Sequence, residues 1–220
     1  MGKKKAHVNK RKMKRLHGGD DEWQRVNRTF KTEIEPIVNA IRNPRLTARV
    51  RESLGNYLII RLVSMTDYYF SNRISRMIDE GKLDASKVMD KKSLEEELKK
   101  GPYTPGAFVG TNFNYSNYED IQKILSRLLD LNFLSTVREL ERTDPYKYVK
   151  GAISLDSNWD HFREMFDLRD DIAHEMKDAK LSKTRLLSLA DNTMNFLDAA
   201  SWMCHEEFFH LEDNNRIIRQ

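Results

Sequence analysis

The stretch FDLRDDIAHEM, residues 166–176, sets Arg169, Asp170, Asp171 and His174 into a segment that otherwise carries the apolar Trp159, Phe162, Phe166 and Ile172. A guanidinium is permanently charged and presents a planar fork of donors suited to a phosphate. An imidazole can give or take a proton near neutral pH. Arginine and histidine at this spacing raise the question of a site that receives a phosphate. Helical spacing sorts them. Asp170 and His174 are four apart, about 40° around a helix, so the carboxylate can orient the ring. Arg169 and His174 are five apart, about 140°. For both to reach one phosphate, the helix must distort locally or two chains must contribute.

Rival chemistries have less support. His205 and His210 in HEEFFH are five apart and cannot share a metal as an i, i+4 pair on a helix does. Cys204 is the one cysteine, and no Cys-x-x-Cys exists, so no structural zinc set is written here and no internal disulfide can form. A Gly-x-Ser-x-Gly elbow is absent, and no Gly-Lys-Ser/Thr follows the glycines of GPYTPGAFVGTNFNYS, residues 101–116. Nothing in the residues asks for a cofactor. A single cysteine fits a reducing compartment, and LGNYLIIRLVSM, broken by Arg61, is too short to span a bilayer; the expectation is a cytoplasmic protein without a membrane segment.

Charge is unevenly spread. Residues 1–19 hold eight Lys or Arg and no acid, so removing them from the overall +4 leaves −4 for residues 20–220. The tail, MGKKKAHVNKRKMKRLHGG, cannot bury enough apolar surface to fold alone, and is expected to be disordered. It can serve as a solubilising segment or as an arm attracted to phosphate backbones.

The elements that must position the candidate site read as helices. Asp20 or Asp21 caps a first helix through Trp23, Val26, Phe30, Ile34, Ile37 and Ile41, which Pro36 should kink or split. A long helix spans about Leu46 to Glu80, with Gly81 beyond its end. Ser93 with Glu96, and Ser116 with Glu119, have the spacing of capping boxes opening two further helices, the second carrying Ile121, Ile124, Leu125, Leu128 and Leu129. Between them, residues 101–116 read as an extended loop whose Tyr103, Phe108, Phe113 and Tyr115 pack onto the bundle or stack on single-stranded bases. Another amphipathic stretch runs from Phe133 to Leu140. Ser157 and Asp160 open the helix of interest, about Trp159 to Glu175, in which Trp159, Phe162, Phe166, Ile172 and Ala173 form the buried stripe. Ser182 caps a last helix through Leu186, Leu189, Met194, Leu197, Trp202 and Phe208. No period-two alternation and no fixed repeat occur, so the expectation is an all-α antiparallel helical bundle, one domain over residues 20–220 behind the basic tail.

RDDIAH resembles the R-x(4–6)-H signature of the HEPN superfamily, with Asp170 at the position directly after the arginine where a polar residue is usual. The aromatic-apolar helix WDHFREMFDLRDDIAHEM is similar to the one that carries this motif, and LVSMTDYYFSNRI, residues 62–74, looks like the early helix of the RiboL-PSP-like branch. The resemblance implies a metal-independent endoribonuclease working as a homodimer, with two copies of the motif facing each other. On this chain His174 would act on the 2′-OH or the leaving oxygen, Arg169 would bind the scissile phosphate, and Asp170 would orient a histidine. The products would be a 2′,3′-cyclic phosphate and a 5′-hydroxyl. Relatives in conflict systems imply a toxin or anti-phage role, with a neutralising antitoxin as a further partner. Asp170 departs from the family's common Asn or His, and Asp171 adds a second carboxylate. Two other readings stand beside this one: a HEPN dimerisation or scaffold module without catalysis, and a helical protein binding nucleic acid through its tail.

Overall fold

Thr29 marks the point where the first helix changes its winding. In the computed structural model, which describes residues 22–133, 135–136, 155–175 and 178–204, α1 (Glu22–Thr29) passes through a π-turn (Phe30–Ile34) into α2 (Glu35–Arg42). Proline offers no N–H and its ring crowds the carbonyl four residues back, which for Pro36 is that of Thr32. The wider turn directly before it, closed by the Glu35 N–H donating to the Phe30 carbonyl, lets the helix pass the proline without being split. The expected break is thus a local change of pitch.

The remaining elements are α3 (Ala48–Asp79), a 3₁₀ turn (Ala85–Lys87), α4 (Lys91–Lys99), α5 (Pro105–Asn112), α6 (Tyr118–Leu129), α7 (Leu155–Glu175) and α8 (Lys183–Met203). The described residues are mostly helical, with no strand among them, in agreement with the all-α expectation. None of the described helices is long and apolar enough to cross a membrane. The basic tail, Asp20, Asp21, most of Phe133–Leu140, His205, Phe208 and His210, and the side chains of Trp159 and Trp202, lie outside the described residues.

The predicted ends hold well for α3, whose C-terminus is a Schellman motif. Gly81 takes φ +73°, the Lys82 N–H bonds the Met77 carbonyl at 2.8 Å and the Gly81 N–H that of Ile78 at 3.0 Å. Two predicted caps move. Asp90, not Ser93, caps α4, accepting from the Ser93 N–H at 2.9 Å, and Asn117, not Ser116, caps α6, accepting from Glu119 and Asp120 N–H groups. In both cases a side chain nearer the helix start reaches the unpaired N–H groups first, so the serine–glutamate pair is not used as a box.

Residues 101–116 are the larger correction. They are not one extended loop: Thr104 caps, Pro105 opens and α5 continues to Asn112. Two glycines a helical turn apart, Gly106 and Gly110, let α5 lie directly on α3. A Cβ at Gly106 would stand 1.9 Å from the Ser75 carbonyl oxygen, and one at Gly110 2.0 Å from Ser75 Oγ and 2.4 Å from the Ser71 carbonyl oxygen. Ser75 donates to the Gly106 carbonyl at 2.9 Å and Ser71 to that of Gly110. Asp79 accepts from the Gly106 N–H at 2.8 Å and the Thr104 hydroxyl at 2.6 Å, placing a carboxylate at the positive end of α5.

The chain divides into two compact units. The first joins Glu22–Glu35 to Val63–Phe133. Tyr69, Phe70 and Phe133 are fully buried there and meet edge to face, and burying each ring contributes about 2–3 kcal/mol. Glu22, though buried, sits at 2.9 Å from Arg76 and 3.6 Å from Arg73. Tyr115, which the sequence left between packing and base stacking, is fully buried, and burial beside Asp67 pushes its phenol up. The second unit joins Pro36–Leu62 to the described residues beyond 134. Its core is Ile37, Val38 and Ile41 of α2, Leu58, Ile59 and Leu62 of α3, and the inner faces of α7 and α8.

Gly110→Ala will test the α3–α5 packing. Glycine to alanine in an open helix stabilises by about 1 kcal/mol, whereas here the overlap should cost about 2–3 kcal/mol in urea denaturation. A stabilised variant would mean that α5 does not lie on Ser71 and Ser75. Tyr115→Phe removes a buried hydroxyl that has no hydrogen-bond partner among the described residues, so its stability should stay within about 1 kcal/mol of the parent.

Candidate active site at the end of α7

α7 is described from Leu155, ahead of the expected Trp159, so Ser157 lies within the helix and not before it. Its buried face is Phe162, Met165 and Phe166, with His161 beside them. Met165 and His161 were not expected there. Ile172 is only half-buried, and Ala173, assigned to the buried stripe from sequence, is exposed. The stripe fades because the side toward α8 carries the packing only as far as Phe166. Phe162 stacks on Phe196 of α8 with ring centroids 3.9 Å apart, and Phe166 meets Phe162 edge to face at 5.0 Å.

A polar network borders this apolar seam. Arg185, in the first turn of α8, forks onto Glu164, with Nε to Oε1 at 3.2 Å and a second, shorter bond to Oε2, and also donates to His161 Nε2. A guanidinium has no acceptor, so Nε2 must be the accepting nitrogen of this ring. Ser188 lies 3.1 Å from the same nitrogen and accepts from Asn192 at 3.1 Å. Sequence reading missed this network. Its signal was polar residues spaced by three on both helices, His161 with Glu164 and Arg185 with Ser188, flanking the aromatic stripes. With Arg185 held by Glu164 and shared with His161, the network joins the two helices.

Arg169, Asp170, Asp171 and His174 occupy the last turns of α7. The helix is unbroken from Leu155 to Glu175, with no π-turn or bulge. Arg169 therefore continues the side of Phe162 and Phe166, and its side chain is only 21% exposed. His174 projects about 140° away and is exposed, as are Asp170 and Asp171. The Asp170 carboxylate pairs with Arg169 Nη1 at 2.8 Å, and no hydrogen bond joins it to His174. Local distortion, one of the two ways for Arg169 and His174 to meet at one phosphate, does not occur between Leu155 and Glu175.

Beyond the motif the chain is held by α3. Asn56 donates from Nδ2 to Asp178 at 2.8 Å and accepts from the Ala179 N–H at 2.9 Å. One amide thus fixes the segment four and five residues after His174. Ser182 then caps α8 as expected, accepting from the Arg185 N–H at 3.2 Å. Gly55, next to Asn56, lets α8 approach, since a Cβ there would meet Leu186 at 3.1 Å. Cys204 is buried. No group of three or more His, Cys, Asp or Glu side chains placed to hold a metal occurs among the described residues.

Asn56→Ala should release the segment after the motif. The expected effect is a loss of about 1–2 kcal/mol in stability and faster hydrogen exchange at the Ala179 amide, read by NMR. Unchanged exchange would show that the amide clamp does not hold the loop.

Comparison of the chain with protein-family models, with curated proteins and with solved structures gives no match.

Proposed function

We propose that the chain is a metal-independent endoribonuclease of the HEPN type, an antiparallel helical bundle acting as a homodimer through a composite site of Arg169, Asp170 and His174. The single observation that carries the composite arrangement is the unbroken winding of α7, which sends Arg169 and His174 about 140° apart. One helix cannot turn both onto the same phosphate at short range, whereas two copies can supply one group each. In this reading Arg169 of one protomer neutralises the charge that builds on the scissile phosphate, and its ion pair with Asp170 keeps the guanidinium turned toward the end of the helix. His174 of the partner takes the proton from the 2′-OH or returns one to the leaving 5′-oxygen. The nucleophile comes from the substrate, so RNA is cut and DNA is not. Exposure of His174 keeps it accessible to a second copy and to substrate. A toxin or anti-phage effector restrained by an antitoxin is the cellular role that fits such an activity.

Arg169→Ala and His174→Ala should each abolish RNA cleavage in the presence of EDTA while leaving circular dichroism and sedimentation unchanged. Mixing the two inactive variants provides the sharper measurement. If each site takes its arginine and histidine from different chains, half of the dimers after exchange carry one intact site. About a quarter of the parental activity should then return. A mixture that stays inert while heterodimers form would overturn the two-chain site. Activity retained in either single variant would overturn the nuclease reading, and a parent inert on a broad RNA panel would favour the HEPN scaffold instead.

A further inference from the structure

Residues 20–220 carry a net charge of −4, yet their positive residues are not scattered. The segment RNPRLTARVR, residues 42–51, holds four arginines and no acid, at the turn from α2 into α3. The fold adds lysines to it. Lys183, at the start of α8, donates to the Arg42 carbonyl at 2.8 Å, and Asn56 binds the backbone of Ala179, next to Lys180. Arg45, Arg49, Lys180 and Lys183 are all exposed. Among the described residues none of these four makes an ion pair. The nearby carboxylates are otherwise placed: Asp178 takes Asn56 at 2.8 Å, Glu52 makes no ion pair with Arg49, and Asp191 faces Arg42, whose charge opposes the upward push that burial gives its carboxyl.

Alongside these cations runs the outer stripe of α3. Arg49, Val50, Ser53, Tyr57 and Ile60 fall within about 100° of one another on the helix. All are exposed, Tyr57 at 49% and Val50 at 46%. The ring stands next in sequence to the Asn56 that holds the segment leaving the RDDIAH helix. Cations without carboxylate partners thus lie on the turn before α3, on its outer stripe and on the segment that Arg42 and Asn56 hold, and the exposed Tyr57 ring is about 80° around α3 from Arg49; together they make up the candidate surface.

We propose that this surface, formed by Arg45, Arg49, Lys180, Lys183 and Tyr57, binds the phosphate chain of single-stranded RNA, with Tyr57 stacking on a base, and leads the strand toward the end of α7. The choice of RNA rests on the ribonuclease reading. A polyanion suits it better than a second copy of the chain, because a two-fold interface through this patch would set arginine against arginine. Evenly spaced phosphates satisfy several exposed cations at once and release counterions, and a tyrosine face accepts any base.

The test uses the full chain with His174→Ala, so that RNA is bound and not cut, and a fluorescein-labelled 20-nucleotide single strand as probe. Arg45→Ala/Arg49→Ala/Lys180→Ala/Lys183→Ala should weaken binding at least tenfold in about 0.1 M salt. It should also flatten the slope of log affinity against log salt by about 2–3, near 0.7 for each phosphate no longer neutralised. Arg45→Ala/Arg49→Ala alone, which removes no hydrogen-bonded side chain, should give about half that change of slope and guards against misfolding of the fourfold variant. RNA should also slow acetylation of Lys180 and Lys183 by an amine-reactive reagent, read by mass spectrometry, and Tyr57→Ala should lower affinity without altering the slope. Unchanged slope and unchanged acetylation would overturn the proposal, as would variants that bind RNA normally but change the sedimenting mass, the mark of a protein interface. Failure of the nuclease reading is read separately: the parent would bind RNA on this surface with the predicted salt slope and leave it uncut.

Discussion

An α-helix advances about 100° per residue, and α7 keeps that winding from Leu155 to Glu175. Everything the RDDIAH segment can do follows from this rotation. Phe162, Met165 and Phe166 must face the packing partner, Arg169 follows on their side, and His174 is carried out to solvent. The helix has no reason to yield, because it contains no proline or glycine and Arg185 of α8 holds Glu164 and His161 beside its aromatic seam. Where Pro36 did demand a change, in the first helix, the chain inserted a π-turn. That contrast gives the regularity of α7 its meaning: this sequence distorts a helix where the backbone chemistry requires it, and nothing near the motif does.

The seam between α7 and α8 shows how burial and polarity divide the work. The Phe162–Phe196 stack supplies apolar packing, while Arg185 ties Glu164 and His161 together at the edge. An arginine bound by a carboxylate at two points has little freedom to rotate, and the histidine that accepts from it is held in one tautomer. Such a network adds orientation more than stability, since the Arg185 and Glu164 side chains remain 39% and 28% exposed and solvent screens the pair. Its service to the motif is indirect. It joins α7 to α8, and the Asn56 clamp holds the chain beyond His174.

Much of this was legible in the residues. The long α3, its Gly81 terminus, the apolar stripe of α6, the Ser182 cap and the absence of strands among the described residues all follow from local rules of period and capping. Caps were harder. Asp90 and Asn117 displaced the serines expected because several side chains competed for the same few N–H groups, and the winner depends on backbone angles that spacing alone does not express. The aromatic stretch 101–116 was misread because Gly106 and Gly110 count as helix breakers in isolation. On α3 the same two glycines are what allow a helix, since Ser71 and Ser75 occupy the space a Cβ would need and bond to the carbonyls instead.

For the candidate site, sequence by itself determined the residue types, the five-residue interval and hence the angle between Arg169 and His174, because these depend only on chain chemistry and helical pitch. Tertiary structure decided what those residues meet. It left Ala173 in solvent and tied Asn56 to Asp178 and Ala179 across more than a hundred residues of chain. It also gathered Lys180 and Lys183 beside the arginines of residues 42–51, a grouping invisible in a tail-dominated charge balance. The physical reason is the same in each case. Rotation along one helix is a local property, whereas the partner of a side chain and the sum of charge on a surface arise only when segments distant in sequence are packed together.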